Sequence, residues 1–410
     1  MIRADRSVVV TGAGLICALG DRPGAVHEAL CGGASGLGPS ALIAEDVTVG
    51  HQLAEIRDFS PRAYLGTRSV GSLDRTGRLA ATGVELAFAD SGWSADDRKA
   101  RVVGLVLGTM FCSVKTIGEF DRRAQGAGPE YASPMDFSNT VLNAASGQVA
   151  IWHHLRGVNA TVAAGSVSGL HAIGYAADLI RRGRADVIVA GGVEEVCFES
   201  FHGFRQAGLL AAPADGHPGC AVPFDRRRSG AALGEASAFV VLEAEEVAAA
   251  RGARVAARIE GFAAGYDPRR DAEQTAGANA LADVIRRALH EARIPSSDIG
   301  AVMSSASGSP VGDAREAAGI QCGIGAGAPV TALASMLGDT LGASGALQTI
   351  MAIESMRAGR WPGIAGLDDP DPAIEVPVAA AGAHAIQTSH ALVTGMAREG
   401  NCCALVLGLA

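Results

Sequence analysis

The sequence predicts an α/β protein made of two similar halves. Three observations carry that reading: short apolar runs without alternation, helix-period segments between them, and a strand–turn–helix pattern that occurs twice. The first copy spans 157–195, GVNATVAAGSVSGLHAIGYAADLIRRGRADVIVAGGVEE. It reads as a strand at 160–163, a tight turn at Ala164, Gly165 and Ser166, and a helix with Leu170, Ile173, Ala176, Ala177 and Ile180 on one face. Ser166 and Ser168 are N-cap types, Arg181 and Arg182 suit the C-terminal dipole, and Gly183 suits the position past the end. The run 187–190 is apolar throughout, as a strand buried on both faces is. Ser166 sits over a helix N-terminus, where backbone N–H groups stabilise an anion or a thiolate, so it is the candidate nucleophile. The second copy spans 329–363, PVTALASMLGDTLGASGALQTIMAIESMRAGRWPG, with Leu347, Ile350 and Ile353 on the helix and a stop at Gly359.

The other elements follow in order. A strand at 7–10 turns into TGAGLICALG, whose Gly12, Gly14 and Gly20 miss the G-x-G-x-x-G spacing of a dinucleotide site. Helices are expected at 24–30, 74–90 and, amphipathically, 113–125; a strand at 102–107 ends at Gly108. The segment 133–155, SPMDFSNTVLNAASGQVAIWHHL, begins with Ser-Pro and continues into a helix, with His153 and His154 expected at the surface. A helix at 199–210, a Pro/Gly loop at 213–224, a strand at 238–242 and a helix at 245–251 complete the first half, 1–250. The second half, 251–410, replays it: strands at 256–261, 299–303 and 403–407, and an amphipathic helix at 279–293 carrying Leu281, Val284, Ile285, Ala288 and Leu289.

Composition narrows the function classes. Hydrophobic residues make up 48% of 410 residues and aromatics only 4%, against 54 glycines, which favours close helix–sheet packing. The net charge of −9 and the lack of a basic run argue against nucleic-acid binding. The clusters RRGR at 181–184 and FDRRR at 224–228 read as solvated surface, though such a patch could meet an acidic carrier protein. Eight cysteines without a C-x-x-C pair suit reduced core thiols and no metal site. The N-terminal stretch lacks a signal-peptide apolar core, and no run of about 18 apolar residues occurs, so a cytoplasmic protein without a membrane span is expected.

Several blocks, in order along essentially the whole chain, resemble the β-ketoacyl synthases of the thiolase-like superfamily. They are VVVTGAGLICALG, SPMDFSNTVLNAASGQVAIWHHLRG, SGLHAIGYAADLIRRGRADVIVAGGVEE, PFDRRRSGAALGEASAFVVLE, SPVGDAREA and SMLGDTLGASGA. The resemblance implies a thiolase-like fold, two duplicated α/β halves layered αβαβα, and no cofactor. It also implies a cysteine thiolate that accepts the acyl chain, two histidines for decarboxylation and oxyanion stabilisation, and a supporting lysine. On this chain those positions fall at Ser166, Ser305, Asp339 and Ala334, in the order cysteine, first histidine, second histidine, lysine. The gating glycine-rich loop is replaced by GMAREG at 395–400.

All four reactive positions are therefore substituted. A serine hydroxyl needs a base to attack, and a carboxylate such as Asp339 normally orients a histidine that does this work. His171, His384 and His390 match no motif position, and GSVSG at 165–169 has Val167 where a nucleophile elbow has serine. An intact frame without its chemistry resembles the chain-length factor, the non-catalytic partner of a type II polyketide ketosynthase. Aromatic-type chain-length factors often carry glutamine where this chain has Ser166, which leaves room for a polyene-type or other reducing system. The resemblance implies a heterodimer with a catalytic ketosynthase subunit, and acyl carrier protein met through that complex. It places Phe111, Val114 and Gly118 near the tunnel end, and Met135, Asp136 and Phe137 at the dimer interface near the partner's active site. The rival expectations are a Ser166-dependent acyltransferase and a malonyl-carrier decarboxylase.

Overall fold

The computed structural model describes residues 6–66, 71–212, 219–268 and 278–410. Positions 213–218 of the expected 213–224 loop, and the first five residues, lie outside the described residues. The main sheet contains strands β1 (Val8–Cys17), β2 (Gly104–Gly108), β3 (Asn159–Val162), β4 (Val187–Glu194), β5 (Ala236–Ala244), β6 (Ala257–Tyr266), β7 (Ile299–Ser304), β8 (Val330–Ala332), β9 (His390–Met396) and β10 (Asn401–Leu409). Their spatial order is β8-β7-β9-β10-β6-β1-β5-β4-β2-β3. Outward from the centre, the first half reads β1-β5-β4-β2-β3 and the second β6-β10-β9-β7-β8, each with two antiparallel and then two parallel pairings. A short pairing of Val8, Val9 and Val10 with Ile259, Arg258 and Ala257 joins the two sets.

Helices layer this sheet because their apolar stripes need a partner face. The helices used below are α1 (Arg75–Ser91), α2 (Val114–Ala127), α3 (Ala144–His153), α4 (Ser168–Arg181), α5 (Ala278–Ala292), α6 (Pro310–Ile324) and α7 (Ser344–Ala358). The central core joins Leu170 and Ile173 of α4 to Leu347 and Ile350 of α7 and to strand residues of both halves, such as Val240 and Leu405. Val84 and Phe88 of α1 cover the outer face of the first set with Val149 of α3; Leu281 and Ile285 of α5 cover that of the second with Ile320 of α6. The layers are thus helix, sheet, two inner helices, sheet, helix. Leu170 and Ile350 are fully buried, so truncating either to alanine costs about 2–5 kcal/mol.

Several elements differ from the sequence expectation. β1 does not turn after Val10; it runs to Cys17 through a bulge at Thr11. Gly14 is there because α1 crosses so closely that a Cβ would strike the backbone of Ala87 and Gly83. The 133–155 segment is broken into Pro134–Phe137 and α3. His153 is not on the surface but 1% exposed, bonded through Nε2 to Ala81 O (3.0 Å) and paired with Glu85 (3.2 Å). β9 and α6 were not expected as elements. His390 lies on β9 and pairs with Glu260 (3.2 Å), while His384 reaches Ala380 O (2.7 Å), so both have partners that the sequence did not indicate.

Candidate functional site

The turn between β3 and α4 has the expected small-residue form, but the N-cap of α4 is Val167, not Ser166 or Ser168, and it makes no side-chain cap bond. Gly165 takes φ +69°, open to glycine, and Ser168 locks the turn: its Oγ donates to Gly165 O (2.6 Å) and accepts from the Ala164 N–H (2.8 Å). Ser166 is half-buried, and no hydrogen bond of its hydroxyl is found among the described residues. Val167 is buried against Gly395, where a Cβ would come within 2.9 Å of Val167 Cγ1.

Ser305, Ala334 and Asp339 do come together. With Ser344, Leu347 and Gln348 they line one cavity of about 20 Å³, room for about one water. Ser305 is held by the buried Glu316: its N–H and Oγ each donate to that carboxylate at 2.9 Å, and the Met396 N–H donates to Ser305 Oγ at 2.9 Å. Thr394 Oγ1 adds a third donor to Glu316 at 2.6 Å. Burial nonetheless pushes Glu316 up to about 7. Asp339 Oδ1 accepts from the Leu341 N–H (2.9 Å) and Ser344 Oγ (3.3 Å); burial raises its pKa, and the nearby Glu399 adds to the rise. No thiol, imidazole or ammonium lines this cavity. Cys403 packs against Gly395, but burial holds its thiol well above the ordinary range, so it supplies no thiolate.

The 109–112 loop is fixed by a second buried carboxylate. Glu194, at the end of β4, accepts from Thr109 Oγ1 (3.2 Å) and from the N–H groups of Met110, Phe111 and Cys112 (2.6–3.1 Å), and reaches across to the Gly342 N–H (3.1 Å). Burial pushes it up to about 7. Phe111 is half-buried in a satellite apolar cluster with Phe201 and Leu341, edge-on to Phe204 at 6.1 Å. Val114 opens α2, and the slot beside Gly118 is taken by Glu199, which pairs with Arg122 at 2.7 Å. A separate cavity of about 430 Å³ is lined by Arg75, Lys115, Glu119 and Arg122 with residues 196–199; neither Phe111 nor Val114 lines it. Glu194, Glu316 and Glu399 were not singled out in the sequence. Glu194 closes an apolar strand and Glu399 sits in a tight turn before Gly400, while Glu316 lies within helix α6 and has no such local signal.

Residues 5–248 match the model of the beta-ketoacyl synthase N-terminal domain, and residues 256–368 that of its C-terminal domain. The chain belongs to the beta-ketoacyl synthase family. A relative named 3-oxoacyl-[acyl-carrier-protein] synthase 2, from Coxiella burnetii, is 30% identical over 370 residues, 89% of each chain. Among solved structures, the ishigamide ketosynthase/chain length factor aligns with TM-score 0.91 and 28% identity over 99% of this chain and 100% of that one. A beta-ketoacyl synthase from Burkholderia phymatum STM815 aligns with TM-score 0.89 and 25% identity over the same shares. The layered arrangement is the thiolase-like fold of these ketosynthases.

On this beta-ketoacyl synthase frame one face is strongly apolar. Met135 is 75% exposed, Phe137 61% and Ile151 77%, and Tyr131, Val141 and Leu142 are exposed beside them. Asp136 pairs with Arg123 (2.8 Å), and Phe137 packs against Phe120 of α2. α3, which carries Ile151, packs beside β3, the strand at the end of the sheet order. Among the described residues, no helix is long and apolar enough to cross a membrane, and no group of three His, Cys, Asp or Glu side chains could hold a metal ion.

Proposed function

We propose that this chain is a non-catalytic, chain-length-determining partner of an active ketosynthase, working as one subunit of a heterodimer in type II polyketide biosynthesis. The carrying observation is the cavity at Ser305, Ala334 and Asp339. Ser305 and Asp339 are held by hydrogen bonds, the cavity has room for about one water, and no thiol, imidazole or ammonium lines it. In such a pair the thiolate and imidazoles come from the partner, and acyl carrier protein is met through the complex. This chain supplies its apolar face and the 108–119 segment.

Phe111 is the residue assigned to the far end of the tunnel, with Val114 and Gly118 beside it on α2. A bulky ring there shortens the space for a growing chain. Met135, Asp136 and Phe137 are assigned to the contact with the partner. A structural relative that is titled as a ketosynthase/chain length factor supports this reading; the curated relatives named as synthases support the family and leave the role to experiment.

The test is co-expression with candidate ketosynthases, size-exclusion chromatography and a malonyl-carrier condensation assay. An equimolar complex, active only with both chains and indifferent to Ser166→Ala, is the expected result. A lone homodimer that becomes acylated at Ser166, or that releases carbon dioxide from malonyl-carrier, overturns the proposal in favour of a Ser166-dependent acyltransferase or a decarboxylase.

A further inference from the structure

We infer that Glu399 is a built-in stopper: its side chain occupies the space over Gly165 and Ser166 and closes the old acyl pocket to a thioester. The inference deepens the non-catalytic reading and rests on it. Loss of a nucleophile leaves a pocket inert but open; here the chain fills the pocket with a side chain of its own.

Three observations place the stopper. Glu399 lies in the tight turn between β9 and β10, and that turn is tied on each side. The Ala397 N–H donates to Asn401 O (2.8 Å), the Gly400 N–H to Ala397 O (3.0 Å), and the Asp267 N–H to Gly400 O (2.8 Å). From this turn Oε2 of Glu399 lies so close to Gly165 that a Cβ there would be 2.5 Å away. That oxygen is buried and has no hydrogen-bond partner among the described residues. A buried carboxylate oxygen without a donor costs free energy, so hydrogen bonding within the fold does not explain why Glu399 points inward. Its neighbour Arg398 points out to solvent.

The placement has a chemical consequence. Glu399 is near enough to Asp339 to raise its pKa, so two acidic side chains stand where an incoming malonyl group would bring a third carboxylate. A further carboxylate brought beside them adds like-charge repulsion. The stopper therefore acts first by volume and then by charge, and it selects against the anionic thioester that a condensing site must admit.

The experiment introduces a reporter thiol by Ser166→Cys in the full chain, co-purified with its partner, and follows alkylation by iodoacetamide. Mass spectrometry of the peptide carrying position 166 separates the reporter from the eight native cysteines. With Glu399 in place, alkylation is slow; adding Glu399→Gly accelerates it about tenfold or more, because the thiol is uncovered and loses an anionic neighbour. Glu399→Gln keeps the volume and stays slow. Equal rates with and without Glu399→Gly, or a Glu399→Gln variant as fast as Glu399→Gly, overturn the inference. Glu399→Ala serves in the same comparison if the glycine variant does not co-elute with the partner. Carbon dioxide release or condensation by the isolated wild-type chain would defeat the non-catalytic reading alone, leaving the alkylation contrast intact.

Discussion

Two regions of this molecule treat their side chains in opposite ways. Around Ser305 and Asp339, buried polar side chains are tied down by hydrogen bonds beside a cavity of only about 20 Å³. Across the molecule's edge, Met135, Phe137 and Ile151 leave large apolar groups in solvent. Monomeric surfaces rarely keep such a patch unless something covers it. On the proposed reading, the contrast places the chain's role at the apolar face it presents to a partner rather than at the cavity.

The comparison breaks most sharply at the apolar face. Phe137→Glu combined with Ile151→Glu is expected to abolish co-elution with the ketosynthase, weakening association at least about a hundredfold, since buried aromatic anchors dominate such interfaces. Circular dichroism of the variant should stay native, because both side chains are exposed. Retention of the complex would remove this face from the interface.

The pocket side is sharpened by pH. Glu316 is raised by burial from an ordinary 4.5 to about 7. The folded state thus holds its proton more tightly than the unfolded chain does. The stability it contributes is full below about 4.5 and is lost as pH rises through about 7. Glu316→Gln removes this dependence. In thermal melts from pH 4.5 to 8, wild type should lose stability relative to the Gln variant as pH rises, by on the order of 2–3 kcal/mol. A constant difference across that range would mean that Glu316 does not titrate there.

Much of the frame was legible because it is local. The apolar face of α4, the small-residue turn before it and the Gly183 and Gly359 stops follow from spacing within one element; α7, by contrast, is buried almost all round, because it packs between both strand sets. What escaped depends on distant partners. β1 reads as a turn at Gly12 and Gly14, yet those glycines exist for the close crossing of α1. His153 reads as a helix-end surface residue until Glu85 and Ala81, far back in the chain, are seen to receive it. In the site, motif resemblance located Ser305, Ala334 and Asp339, and they line one cavity. Glu194, Glu316 and Glu399 lie inside the quoted blocks, but nothing in their local spacing marks them as buried carboxylates. They become visible only when backbone donors from other elements, or the empty slot at Gly165, are placed around them.

A smaller effect should come from Phe111. Its ring is half-buried and edge-on to Phe204, so Phe111→Ala should lower stability by about 1–2 kcal/mol. If it bounds the tunnel, the assembled pair should also make a longer product, read by mass spectrometry of the released chains. An unchanged product distribution from an intact heterodimer would take Phe111 out of the tunnel.

The smallest effect is the most discriminating. Ser166 keeps the position of a nucleophile over the N-terminus of α4, but no hydrogen bond of its hydroxyl is found among the described residues, and the acids nearby offer no imidazole to relay a proton. Ser166→Ala should therefore leave condensation by the heterodimer within about twofold of wild type, a difference of under 0.5 kcal/mol in the barrier. The same change in a chain that used its serine would remove several orders of magnitude. The two regions would then no longer be opposed: the pocket would be working as well as the face, and the acids around Ser166 would have to be read as catalytic groups rather than as filling.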